Sequence, residues 1–189
     1  MFIQKGTSMR QVSWLLIATI LACGAGTAQA GAQNQISIGS KSLTIAYSDS
    51  TNSTNDDLSG LELSYTRGIG DIAGGRIGYY RLTHRDDSNL KASGLDLKFL
   101  LGKNIARQGF KAYGGLGYFD ETWERGSYSH DFSGLSLFGG IGYNGSRLAL
   151  DFLVELRDAS DYQKYVNRYR VNSVTASAAS ASLNLGVRF

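Results

Sequence analysis

Between Arg147 and Arg157 every second residue is apolar. Leu148, Leu150, Phe152, Val154 and Leu156 share one face, while Arg147, Asp151, Glu155 and Arg157 dominate the other, with Ala149 and Leu153 between them. A period of two marks a strand whose faces meet different surroundings; a helix repeats every 3.6 residues. The same period returns in segments 36–48, 58–67, 75–84, 93–102, 110–119, 133–143 and 174–189, and no helical period follows residue 30. The chain has no proline, which would remove a ladder donor, and 24 glycines, which suit tight turns. The connections alternate in length. Segments 49–57, 85–92, 120–131 and 158–172 are long; 68–74, 103–109 and 144–146 are short, and the last contains Asn144-Gly145, a strong hairpin signal. Eight strands of about ten residues joined in this way predict an all-β fold, an eight-stranded antiparallel up-and-down barrel with the proportions of a transmembrane one.

Residue size indicates which face is inside. The uncharged rows carry Leu, Phe, Val and Tyr, whereas the opposite rows mix charges with Gly, Ala and Ser. Eight strands enclose a space just wide enough for side chains to fill, so the mixed rows fit the interior. Glu62, Asp96, Lys98, Lys111, Asp151, Glu155, Arg157 and Arg188 would then meet there as an interior salt-bridge network, both signs being present as burial requires. Segment 75–84, with adjacent Tyr79 and Tyr80, leaves its outward face open. Tyr65, Phe110, Tyr143 and Phe189 fall at one end of their strands, and Tyr47 and Tyr118 at the other, as two interfacial belts would. The opposite reading is a soluble or lipid-anchored barrel with its apolar rows inward around a ligand.

The N-terminus reads as a signal peptide. Lys5 and Arg10 precede the apolar run Val12–Ala22, and Ala28-Gln29-Ala30 is a cleavage site, giving a removed segment 1–30 and a single barrel domain 31–189. The eleven-residue run is too short to span a membrane as a helix. Cys23, in Leu21-Ala22-Cys23-Gly24, also resembles a lipoprotein acylation site. Without Lys5 and Arg10 the chain holds 17 basic against 16 acidic residues, so the formal charge of +3 does not signal a nucleic-acid partner.

The alternating strands, the A-x-A cleavage site and the aromatic C-terminus Leu185-Gly186-Val187-Arg188-Phe189 together resemble the small outer-membrane barrels of Gram-negative bacteria. These include the OmpA-type transmembrane domain, OmpX and the opacity-type proteins. The resemblance implies a location in the outer membrane, contact with its lipids and lipopolysaccharide, and a structural or surface-interaction role. It also implies an assembly signal, in which Leu183, Leu185, Val187 and Phe189 form the face read by the barrel-assembly machinery.

Few residues suggest chemistry. Gly68-x-Gly70-x-x-Ala73 matches a dinucleotide fingerprint as a string, but a strand follows it where that motif needs a helix. Some small barrels are lipid-modifying hydrolases, which would need a histidine near a serine. His84 lies four residues from Ser88 across a loop, and His130 sits between Ser129 and Asp131, so neither makes a good match. Asp56-Asp57 and Asp86-Asp87 could take a divalent cation. Tyr162, Lys164, Tyr165, Arg168, Tyr169 and Arg170 form a basic and aromatic cluster suited to phosphates or a surface ligand. The expectation is a non-enzymatic monomer without cofactor or resident metal.

Overall fold

The computed structural model describes residues 33–49, 53–168 and 174–189. The proposed signal peptide and Cys23 lie outside them, as do Tyr169 and Arg170. Eight strands follow in order: β1 (Asn34–Ser48), β2 (Ser53–Ile69), β3 (Ala73–His84), β4 (Leu90–Lys103), β5 (Gly109–Arg125), β6 (Tyr128–Asn144), β7 (Leu148–Arg157) and β8 (Thr175–Arg188). Each pairs antiparallel with its neighbours, and β8 returns to β1 to close the barrel. Closure leaves no sheet edge around the lower wall, so every strand there has a partner on both sides. None of the described helices is long and apolar enough to cross a membrane; the strands would have to do so.

Two connections are shorter than the sequence suggests. Segment 120–131 is not a loop: β5 and β6 pair up to Arg125 and Tyr128, leaving Gly126-Ser127 as the turn. Gly126 has φ 62°, as the first central position of such a two-residue turn requires. Likewise β1 and β2 pair as far as Ser48 and Ser53, so segment 49–57 is largely strand. Segment 158–172 contains a helix instead, α1 (Ser160–Asn167). The tight turn expected at Asn144-Gly145 takes another form, because neither residue has a positive φ. The Asn144 side chain reaches across and donates to the carbonyls of Asn104 (3.0 Å), Ile105 (3.2 Å) and Arg107 (2.9 Å), tying two turns together.

The wall carries a polarity change along its axis. In the half nearest Asn34 and Phe189, the outward positions are apolar and exposed: Ile38, Leu63, Phe99, Leu116, Leu137 and Leu150 are examples. Their inward neighbours are buried and include most of the charged groups, together with a smaller apolar cluster around Leu100, Phe138 and Leu153. In the other half the faces exchange. Ser42, Ser59, Lys91, Glu124 and Asp131 point outward, while Leu43, Ile45, Leu58, Leu82, Phe119, Trp123 and Phe132 fill the interior. Tyr47 belongs to this interior and is not part of an outer aromatic belt. Segment 75–84 now has an assigned face: Tyr79 points out and Tyr80 in.

A change of solvent along the axis would produce such an exchange. A wall facing hydrocarbon must be apolar outside and can keep polar groups only within, whereas a wall facing water buries its apolar groups within. The apolar band covers nine residues on β5 (Phe110–Tyr118) and nine on β7 (Leu148–Leu156), the length of a tilted membrane strand. At its lower margin Phe110 and Tyr143 meet edge to face at 5.2 Å. Beyond its upper margin the barrel continues as a collar with a polar outer wall and an apolar interior.

Candidate functional site

Among the described residues eleven charged side chains are buried; they come from every strand except β6 and point into the barrel because the strand period sends alternate residues inward. The eight expected residues are all among them, and the structure adds Lys41, Arg76 and Glu121. They form separate groups.

The largest group spans the level where the wall changes polarity. Asp96 pairs with Lys41, with Lys98 (2.9 Å) and with Arg157 (3.1 Å). Glu155 pairs with Lys98 (3.0 Å) and also accepts from Ser180 (2.8 Å). Glu121 pairs with Arg157 at 2.9 Å. Three cations therefore face three carboxylates, and Arg157 reaches all three acids, Glu155 at 3.5 Å. Its guanidinium also lies over the Phe119 ring at 4.6 Å and the Tyr80 ring at 5.3 Å.

Glu121 is the hub between this group and the collar. Besides Arg157, its carboxylate accepts hydrogen bonds from Tyr80 Oη (2.7 Å), Trp123 Nε1 (2.8 Å) and Tyr162 Oη (2.5 Å). Gly94 makes room for it: a Cβ there would lie 2.6 Å from Tyr80 Oη and 2.7 Å from Glu121 Cβ. Tyr162 comes from α1, so one hydroxyl fastens the helix to the ionic interior. Burial, then the nearby Glu121 carboxylate, pushes that hydroxyl's pKa well above the usual tyrosine range, so it stays a donor. Tyr162→Phe should loosen α1 by roughly 1.5–3 kcal/mol, the scale of a hydrogen bond to a charged group. Faster amide exchange in Ser160–Asn167, with the strands unchanged, would show it.

Nearer the lower end, Asp151 pairs with Lys111 (2.8 Å) and accepts from Gln35 (2.7 Å) and Tyr113 (3.0 Å). Glu62 meets Arg76 at 3.5 Å and Asn184 at 3.4 Å. Arg188 faces the interior at the rim and donates to the carbonyls of Gly145 and Ala106. Leu100, Ile105, Tyr113, Phe138 and Leu153 form a second apolar cluster. With side chains filling it at these levels, the interior is a packed core.

The proposed surface cluster is split. Tyr162 is wholly buried and is removed from any surface role. Tyr165 packs on His130 and Phe132, with ring centroids at 4.5 and 5.6 Å. Lys164 and Arg168 are exposed, and Lys164 pairs with Asp161 at 3.0 Å. The histidines are engaged elsewhere. His84 Nδ1 accepts from the Asp86 backbone, and its Nε2 lies 3.4 Å from Asp56. Among the described residues neither histidine is hydrogen-bonded to a serine hydroxyl, and no three His, Cys, Asp or Glu side chains converge on a metal-sized site. Asp57 accepts from Thr44 (2.7 Å), and Asp87 pairs with Arg125 (2.9 Å).

No protein-family model and no curated protein sequence matches the chain. Solved structures do. The barrel is similar to Neisserial surface protein A, with a TM-score of 0.50 and 15% identity over 82% of this chain and 97% of that one. It is equally similar to the outer membrane protein OprG of Pseudomonas aeruginosa, with a TM-score of 0.50 and 16% identity over 84% and 97%. At such identities the likeness establishes the fold: a small eight-stranded barrel of outer-membrane type.

Proposed function

We propose that this chain is an integral outer-membrane protein of a Gram-negative bacterium, with a structural or surface-interaction role and no transport or catalytic function. It would cross the membrane as a solid barrel and hold its collar outside the cell. The polarity exchange along the wall carries this reading: an apolar belt the height of a bilayer's hydrocarbon, a charged interior behind it, and a water-facing collar on one side only. The collar end bears the longer hairpins, as the cell-surface end of such barrels does.

Two features of the collar support an interaction role. Arg81 and Lys91 stand exposed on its outer wall just above the apolar belt, at the height expected for lipopolysaccharide phosphates. In addition, β7 stops at Arg157 while β6 continues to Tyr128, so the upper part of β6 has no β7 partner. The facing part of β8 is capped by α1, where Gln163 accepts from the Ala176 N–H and Asn167 bonds Val174. The β6 lip carries Ser129, Asp131 and Ser133 outward, a short polar edge suited to an added strand. The outward row Leu183, Leu185, Val187 and Phe189 would serve the assembly machinery during insertion.

A membrane-impermeant maleimide tests the orientation. In intact cells it should label Ser127→Cys in the β5–β6 turn, and should reach Ser146→Cys only after the outer membrane is opened. Labelling of both sites in intact cells, the reverse order, or recovery of the protein in the soluble periplasm would reject the proposal.

A further inference from the structure

Lys103 closes β4 at the lower margin of the apolar belt, where it is exposed and forms no ion pair among the described residues. Beside it the wall is hollowed. Lys103, Asn104, Phe110, Lys111, Ala112 and Ile141 line a depression whose surface is mostly apolar, with Lys103 and Asn104 at its polar end. The register explains the hollow. Lys103, Ala112 and Ile141 are neighbours across β4, β5 and β6, and one row further up come Leu101, Gly114 and Gly139. Three adjacent outward positions are therefore Ala or Gly. A Cβ at Gly139 would meet only the Tyr113 carbonyl, at 3.9 Å, so the floor is bare backbone. Phe110 stands at the foot of this furrow, and Leu116 and Leu137 close its head.

We infer that the furrow is a lipid site, seating one acyl chain of an anionic inner-leaflet glycerophospholipid whose phosphate rests on Lys103 Nζ. The inference rests on the membrane orientation proposed above. In hydrocarbon, a chain gains nothing from leaving water; what holds it is the contact area of a groove its own width. On β7 and β8, by contrast, large outward residues such as Phe152, Leu150 and Leu185 fill the wall. The lysine adds the charge that a phosphate needs at the headgroup level, where a basic residue attracts an anionic surface. The occupant comes from the inner leaflet because the furrow opens at the end opposite the collar.

Native mass spectrometry decides the matter. The mature protein, Ala112→Phe and Lys103→Gln are each inserted into vesicles of mixed phosphatidylglycerol and phosphatidylcholine, then extracted in mild detergent. The unaltered protein should carry one phosphatidylglycerol. Ala112→Phe fills the furrow and should carry none, and Lys103→Gln should hold it about fivefold more weakly. Heat-modifiable gel migration verifies that each variant has folded; Ala112 is exposed on the lipid face, so the larger ring has room. Equal retention by Ala112→Phe, no preference over phosphatidylcholine, or displacement by added lipid A would overturn the site. Failure of the unaltered protein to enter vesicles would instead overturn the membrane orientation, and the site with it.

Discussion

Arg157→Ala should destabilise the barrel by roughly 3–5 kcal/mol, the cost of removing one member of a buried ion network. Arg157 is buried and reaches both Asp96 (3.1 Å) and Glu121 (2.9 Å). Without it Glu121 keeps only neutral donors, from Tyr80, Trp123 and Tyr162, and three carboxylates face two lysines. Denaturant titration in lipid vesicles measures the loss. Trp123, which lies beside the damaged hub, supplies the fluorescence signal. A control separates charge from volume. Arg157→Met combined with Glu121→Gln removes one cation and one anion together and should recover most of the loss, since buried pairs replaced as a pair are often near neutral. If Arg157→Met alone were as stable as this double variant, lost packing rather than unbalanced charge would explain the loss in Arg157→Ala.

The second large effect probes the polarity exchange. Leu137→Arg places a charge on the outward face of β6 within the apolar belt, and should cost roughly 2–4 kcal/mol in a bilayer. Ser133→Arg places the same residue on the same face of the same strand, four positions up in the collar wall, and should cost about 0–1 kcal/mol. Both side chains point away from the interior, so the difference reads the surrounding medium alone. Equal costs for the two would mean that the belt does not end between them.

The strand count, the pairing order and the inward set Glu62, Asp96, Asp151 and Glu155 are legible in the sequence, because lipid and interior impose opposite demands at alternate positions. The axial exchange is harder to read. Alternation says that two faces differ but not which one is inside, and this barrel uses both answers. The signal is a slip of phase. In β1 the apolar residues sit at Ile36 and Ile38, then at Leu43, Ile45 and Tyr47, moving from even to odd positions without any break in the register. In β3 the adjacent Tyr79 and Tyr80 mark the same slip, as do Tyr118 and Phe119 in β5. Lys41 escapes notice because it shares a face with Leu43. Glu121 escapes because its neighbours Asp120 and Glu124 make the stretch resemble an acidic loop. The helix α1 was hidden by its length: eight residues give barely two turns of period.

The uneven length of the hairpins has a further consequence. In the proposed membrane setting, bilayer thickness would fix the belt, so no strand could gain or lose residues there without mismatch. Above it nothing fixes the height. Two residues added to each arm of a hairpin preserve the alternation and lift its tip by one pleat, as β5 and β6 show by outreaching β7. The collar is thus free to be remodelled hairpin by hairpin while the membrane anchor stays constant. Variation among related barrels should therefore concentrate in the rim's profile, with the Arg157–Glu121 level as the fixed baseline from which each hairpin rises.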